Sequence, residues 1–300
     1  MPPENEQAIK EQVQSFYNHV GWREVSEGVY QNARFEDLRP VSREYIHRCH
    51  LRAGSFLTQK GGFLLDAGSG PIQYPEYLTY SEGFKYRVCV DISKVALTEA
   101  RKRIGMHGLY VVADVSALPF QKSTFEAVIS LHTLHHLPAA NQKDGYLELW
   151  RVLAPGNKAV IVNGWTDAPL MRRAESLVSM MEKAIRRFKR QDNNPPPVKN
   201  RQTEKMSVDD PSNTYVQKFT PQRLQEILGG QIPYEIRCWR SVSVRWLRAI
   251  IHARGGGRLF LRWLYWLEDH FAEYFGTVGQ YPLIILKKPR EIGENYELER

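Results

Sequence analysis

Three cysteines in 300 residues, Cys49, Cys89 and Cys238, are too few and too scattered for a disulfide framework, and no two form a CxxC pair. That spacing excludes a structural zinc ribbon and fits a reducing cytosol, where such residues are buried small hydrophobes; no metal site is expected. Long apolar runs are also missing. The longest stretches, such as Pro282 to Leu286, fall far short of the roughly 18 to 20 residues that a bilayer span needs, so no transmembrane helix is expected. Met1 to Lys10 is polar and acidic where a secretory signal is basic and then apolar, which argues against export by that route and for a cytoplasmic location. No internal repeat is visible. Between Ile236 and Leu267 acidic residues are absent altogether.

What is present is a globular composition, 42% hydrophobic and 25% charged, which excludes a disordered, collagenous or coiled-coil chain and can bury a core. Forty-one basic against 33 acidic side chains give a net charge of +8. The segment without acids holds seven arginines, Arg237, Arg240, Arg245, Arg248, Arg254, Arg258 and Arg262, interleaved with Trp239, Trp246, Phe260, Trp263, Tyr265 and Trp266. The basic character therefore belongs to one appendage and not to the whole surface.

Helices are expected at 5–20 and 43–58. From Gly62 to Asn163 short apolar runs alternate with helical stretches: Phe63–Asp66, Tyr86–Asp91, Leu109–Ala113, Ala127–Leu131 and Lys158–Asn163 read as strands, and such alternation argues a parallel sheet with crossover helices. Lys94–Ile104 follows the N-cap Ser93, and Asn141–Leu153 stops at Pro155-Gly156. Residues 168–190 read as one amphipathic helix with Leu170, Ala174, Leu177, Met181, Ala184 and Phe188 on its packed stripe. Gln191–Asn213, with three consecutive prolines from Pro195, reads as a mobile loop or lid. Thr220-Pro221 opens a short helix, and Tyr234–Val242 and Tyr281–Lys287 read as the last strands.

Asp66-Ala67-Gly68-Ser69-Gly70 follows the first strand, where glycines let a backbone turn approach a ligand closely. Asp91 ends the next strand 21 residues after Gly70, the place from which a carboxylate accepts hydrogen bonds from both ribose hydroxyls. Asp114, ending the third strand, and Val115 are placed to meet an adenine edge. A dinucleotide fingerprint would need a third glycine where Gln73 stands. The carboxylate of Asp66 would repel a diphosphate but could hold an ammonium group, directly or through water. The pattern fits an amino-acid-bearing nucleoside better than NAD.

These stretches, with Leu64 to Gly70, Val90 to Ser93, Ala113 to Val115, Leu118 to Phe120, Phe125 to Ser130, His135-His136-Leu137 and Leu149 to Gly156 in order, resemble the class I S-adenosylmethionine-dependent methyltransferases, and most closely the branch with small-molecule and quinone methyltransferases. The resemblance spans roughly residues 60 to 165. It implies an α/β fold, a Rossmann-like seven-stranded, mostly parallel sheet flanked by helices, with an N-terminal helical cap and helical insertions near the C-terminus. It implies S-adenosylmethionine as cofactor, with Asp66, Ala67, Gly68 and Gly70 at the methionine end, Asp91 with Ile92 at the ribose, Asp114 with Val115 at the adenine, and Leu131, within Ser130 to Thr133, toward the sulfonium and the acceptor. One departure is Ile72, where the family often has its third glycine. The expected organisation is a cap over 1–58, a cofactor-binding core over 59–165, a helix and lid over 166–219, completion of the sheet over 220–290 with the arginine-aromatic insertion at about 244–276, and a tail over 291–300.

Methyl transfer from a sulfonium is an in-line displacement that depends on holding the nucleophile in a dry pocket. An oxygen acceptor also gains from a base, and His132, His135 and His136 follow the fourth strand. The catalytic candidates are His132, nearest the strand end and preferred for acceptor contact, and His136, which with His135 is expected to begin or cap the next helix. Ser130-Leu131-His132-Thr133 lacks the Asn/Asp-Pro-Pro-aromatic grip of nucleic-acid amino-methylating enzymes, no Pro-Cys pair offers a cytosine nucleophile, and no paired-glutamate loop is present. Nucleic acid is therefore disfavoured, leaving small-molecule, lipid-linked or glycan acceptors, with oxygen as the expected acceptor atom. A non-catalytic cofactor-binding or membrane-peripheral accessory protein is the alternative from another class, and an NAD-dependent oxidoreductase a third. Residues 236–267 read either as a packed cap over the site, the preferred reading, or as an interfacial helix pair in peripheral contact with a membrane. Oligomeric state is open.

Overall fold

A computed structural model describes residues 5–26, 29–57, 61–191 and 214–290. The lid sequence, apart from Gln191, and the tail 291–300 lie outside the described residues. A mostly parallel sheet of seven strands runs β3 (Phe63–Ala67), β4 (Tyr86–Asp91), β5 (Gly108–Val112), β6 (Phe125–Leu131), β7 (Leu153–Val162), β8 (Tyr234–Arg240) and β9 (Tyr281–Lys287), in spatial order β5-β4-β3-β6-β7-β9-β8. Only β9 runs antiparallel to both of its neighbours. Strands alternate between two cores. Leu64, Ile129 and Ile285 face one, Leu65, Val128 and Ile284 the other, which is why these strands read as continuous apolar runs with no polar face.

The second of these cores is covered by α4 (Asn141–Val152) and α6 (Pro221–Leu228), whose Tyr146, Leu149, Leu224 and Leu228 are buried. The first is covered by α2 (Arg43–Gly54), α3 (Lys94–Ile104), α7 (Val244–Ile250) and α8 (Gly257–His270), through Tyr45, Cys49, Leu97, Leu247, Leu261 and Leu264. Cys49, Cys89 and Cys238 are buried free thiols, and burial raises the first two to about 12, so they stay protonated. Ahead of the sheet stand α1 (Glu6–Phe16), capped by Asn5, a single π-helical turn (Tyr17–Gly21) and a small hairpin of β1 (Glu24–Ser26) and β2 (Val29–Tyr30). The hairpin and a last helix, α9 (Ala272–Val278), are not signalled by the sequence pattern.

The long helix α5 (Pro169–Gln191) forms as expected, with Leu170, Ala174, Met181 and Ala184 of the expected stripe half-buried, but Leu177 departs from it. Leu177 is exposed and Val178 buried. Arg245 of α7 reaches Glu175, Ser179 and Glu182 at helical spacing on α5, with contacts of 2.7 to 3.2 Å. These contacts set the polar edge of α5 against α7. Most of the other arginines of the appendage are engaged as well: Arg237 with Glu235, Arg240 with Glu36 and Arg262 with Glu44, while Arg248 donates to the Glu36 carbonyl. The charge that the sequence shows as a block is largely spent on packing the appendage against the body.

Candidate active site

The order of strands reverses at β3, which pairs with β4 on one side and β6 on the other. In open α/β sheets such a switch leaves a crevice beyond the carboxyl ends of the strands, where ligands bind. Gly68 and Ser69 donate to the Val90 carbonyl at 2.7 and 3.0 Å, folding the turn across the end of β4. Gly68 and Gly70 have φ of 73° and 57°, a conformation that glycine adopts without strain. A Cβ on Gly68 would lie 2.2 Å from the Thr133 side chain, so the two sides of the crevice meet here because the glycine is bare. Ile72, where the resembled family often carries glycine, also has positive φ, 56°, with its side chain fully buried; packing holds a β-branched residue in a strained conformation that costs about 1–2 kcal/mol.

Asp91 is buried, and its two carboxylate oxygens accept from Gly70 N at 2.9 Å and Ser93 N at 2.8 Å. Burial, with the nearby Asp66 charge adding, raises its pKa to about 6 against the pull of those amides. Asp114 turns on Ser116 and pairs with Lys10 at 2.7 Å; burial opposes the charge, but Lys10 and Ser116 hold this carboxyl below its usual range. Val115 is buried beside it and Ile92 half-buried. Asp66 does not stand free as an ammonium ligand. Its Oδ2 takes both the Nε and an Nη donor of the buried Arg87 on β4, and the same guanidinium also binds the Tyr77 carbonyl. Among the described residues only Oδ1 is left for another donor. The expectation for Asp66 overlooked Arg87 because adjacent strands bring together residues 21 apart.

The N-terminal cap reaches each of these elements in turn. Lys10 meets Asp114, Gln14 donates to the Ile92 carbonyl at 2.8 Å, Asn18 accepts from Ser93 at 2.6 Å, and Trp22 lies over Gly70. Trp22 stacks on Tyr17 at 5.0 Å, and its buried Nε1 has no partner among the described residues. A buried N–H without a partner costs roughly 1–3 kcal/mol and marks a place where a ligand acceptor fits.

Across the crevice, Ser130 donates to the Ala67 carbonyl and Thr133 to that of Gly68, so Leu131 ends its strand beside the glycine turn. His132 has φ of 55°. Its ring meets Trp239 edge-on at 5.0 Å and Tyr281 at 5.6 Å. Burial, then His135 and Arg240, lower it to about 3, so the imidazole is neutral. No hydrogen bond to a described residue occupies its nitrogens. His136 differs: Nδ1 donates to the Tyr215 carbonyl at 2.7 Å and Nε2 accepts from Tyr17 at 2.8 Å. With both nitrogens engaged, it ties the cap and residue 215 to the site and has no free nitrogen for an acceptor. His135 contacts Asn163 at 3.2 Å.

Two further residues beside His132 carry no motif. A register shift between Cys238 and Arg240 bulges β8, and the Arg240 guanidinium lies over both the Trp239 and Tyr281 rings, at 5.0 and 4.6 Å. Bulges re-aim side chains in this way next to active sites. Trp239 Nε1 and Arg240 Nε are buried donors without partners among the described residues, although Arg240 Nη1 pairs with Glu36 at 2.6 Å.

Residues 65–161, which carry most of this geometry, match the family model described as a methyltransferase domain. Among solved structures, geranyl diphosphate C-methyltransferase from Streptomyces coelicolor A3(2), in complex with Mg2+, geranyl diphosphate and S-adenosyl-L-homocysteine, is 16% identical, with 95% of this chain and 100% of that one covered and a TM-score of 0.54. Phosphoethanolamine N-methyltransferase 1 from Haemonchus contortus, in complex with phosphoethanolamine and S-adenosylhomocysteine, is 9% identical over 98% of this chain and 52% of its own, at 0.56. DhpI in its SAH complex is 12% identical, at 94% and 98% coverage and a TM-score of 0.54. The chain thus has the seven-stranded methyltransferase fold, and residues 65–161 at its centre are similar to the methyltransferase domain family.

Proposed function

We propose that the protein is a methyltransferase using S-adenosylmethionine to methylate an oxygen of a small-molecule, lipid-linked or glycan acceptor. The observation that carries this reading is the convergence of the Gly68–Gly70 turn, Asp91 and Asp114 at the ends of β3, β4 and β5, with His132 directly after the neighbouring end of β6. The residues fit the cofactor: two bare glycines and the unpaired Trp22 Nε1 at the methionine end, spare lone pairs on Asp91 for ribose hydroxyls, and Asp114 with Val115 for the adenine. When bound, the cofactor supplies an electrophilic methyl group on a sulfonium sulfur.

The chain's own part is orientation and exclusion of water. Trp22, Tyr17 and Thr133 close the crevice, and Trp239, Tyr281 and His132 wall the acceptor side with aromatic edges. A neutral His132 accepts a hydrogen bond from an acceptor hydroxyl and aligns its oxygen; with a pKa near 3 it is too weak a base to keep the proton. Positioning thus contributes more than base catalysis. Trp239 Nε1 and Arg240 Nε supply donors for a second oxygen of the acceptor. Two of the similar structures hold small-molecule ligands, which supports the size class.

The test is S-adenosylhomocysteine formation with a panel of phenols, hydroxy acids and lipid-linked alcohols. Trp239→Phe, which keeps an aromatic ring but loses the N–H, is expected to raise acceptor KM about five- to tenfold, the worth of one hydrogen bond, with kcat little changed. An unchanged KM removes Trp239 from the acceptor site. Cofactor binding without turnover on any acceptor favours the non-catalytic reading.

A further inference from the structure

Helix α8 is apolar on two opposite sides, and the described residues cover only one. Gly257, Leu261, Leu264 and Glu268 form its buried stripe. Directly opposite, at spacings of four and three residues, Leu259, Trp263 and Trp266 are 69%, 54% and 50% exposed. Phe260 flanks this stripe, and Phe271 and Tyr274 extend it onto α9. Half-exposed tryptophans in a row are costly to leave in water, since each such side chain holds on the order of 1–2 kcal/mol of unrealised burial.

The chemistry beside the stripe identifies what covers it. Along one flank Arg48, Arg258 and Arg262 line a shallow groove around a single carboxylate, Glu44, and Arg254 stands in the turn that leads into α8. Among the described residues the other acids along this stretch of α8 and α9 are Asp269, which pairs with Arg52 at 2.9 Å, the buried Glu268 and the exposed Glu273. Four arginines against Glu44 and Glu273 leave the rim with an excess of positive charge. The exposed stripe runs along the outer side of one helix and onto the start of the next. A protein partner requires shape complementarity there, whereas a lipid interface conforms to it, seating tryptophan and leucine at the acyl boundary while arginines meet phosphates.

The geometry points to α8 and the start of α9 as a docking surface for an anionic lipid bilayer, with Leu259, Trp263 and Trp266 inserted at the interface and Arg258, Arg48 and Arg254 on the headgroup phosphates. No described helix is long and apolar enough to cross the membrane, so the contact is peripheral. It does not depend on the methyl-transfer reading, because it uses none of the residues placed in the crevice.

Flotation of the full chain with phosphatidylcholine vesicles, with and without phosphatidylglycerol, tests this. The intact protein is expected to float with the anionic vesicles and to lose binding as salt rises. Trp263→Ser combined with Trp266→Ser lowers the partition at least about tenfold, as does Leu259→Glu, through lost interfacial burial. Arg258→Glu weakens binding to anionic vesicles alone. Because these positions are exposed, the thermal midpoint and S-adenosylhomocysteine binding stay unchanged, which separates a failed contact from a failed fold. Failure of the intact protein to float overturns the proposal. So does flotation indifferent to the tryptophan changes, or a concentration-dependent dimer that the same changes abolish, which would assign the face to a second copy of this chain.

Discussion

Asp91→Ala is expected to weaken S-adenosylhomocysteine binding by about a hundredfold, measured by calorimetry. Two causes combine. The ribose hydroxyls lose a charged acceptor, worth about 1.5–3 kcal/mol for hydrogen bonds to an ionised group, and the Gly70 and Ser93 amides lose the carboxylate that holds the glycine turn against β4. Asp91→Asn keeps the shape and one acceptor oxygen and falls between. The same residue gives a pH signature. Its folded pKa of about 6 exceeds the roughly 3.9 of a free aspartate, so the free protein binds this proton more tightly than the unfolded chain does. The group therefore costs stability as pH rises between about 4 and 6, and its full cost is present above that. Binding runs the other way: hydroxyl donors favour the ionised carboxylate, so affinity falls toward tenfold per unit as pH drops below about 6. Asp91→Ala flattens that profile. An affinity within twofold of the native protein's, with the pH slope retained, removes Asp91 from the site.

The second large effect is on stability. Glu268 of α8 is completely buried, and its Oε1 accepts from Tyr45 at 2.6 Å, Ser241 N at 2.8 Å and Ser241 Oγ at 2.6 Å, while Oε2 meets Arg52 at 3.2 Å. This one carboxylate joins the appendage, α2 and the residue after β8. Arg52 itself also donates to the Trp239 carbonyl at 2.6 Å, so the bulge that aims Trp239 and Arg240 toward His132 hangs on the same network. Glu268→Ala leaves the Arg52 guanidinium paired with the half-exposed Asp269 and strips the buried Tyr45 and Ser241 donors of their acceptor, which together cost about 3–5 kcal/mol. In a chain of this size the thermal midpoint falls on the order of 10 °C. Glu268→Gln keeps the packing and part of the hydrogen bonding and loses less. Scanning calorimetry that shows a loss below about 1 kcal/mol for the alanine variant contradicts a structural role for this network.

The strands, the glycine turn and Asp91 were legible in the sequence because each is a local pattern. An apolar run followed by Asp66 to Gly70, or by Asp91 and Ser93, needs only near neighbours to define it. What could not be read depends on register or rotation. Arg87 meets Asp66 through strand pairing, Trp239 and Arg240 depend on a bulge, and Arg245 reaches Glu175 and Glu182 across the contact between α7 and α5. Tyr17 and Trp22 lie in the N-terminal segment with no periodicity of their own, and only the docking of the cap over the strand ends brings them to Gly70 and His136. The arginine block misleads in composition for the same reason: sequence counts charges, whereas Glu36, Glu44, Glu175 and Glu182 neutralise several of them across the fold.

The cofactor reading meets its most direct test in calorimetric titration of the native protein with S-adenosylhomocysteine and, separately, with NADH. The arrangement of Gly68, Gly70, Asp91 and Asp114 predicts saturable binding of one S-adenosylhomocysteine per chain and no heat from NADH. Saturable NADH binding, or no binding of S-adenosylhomocysteine at neutral pH, contradicts it.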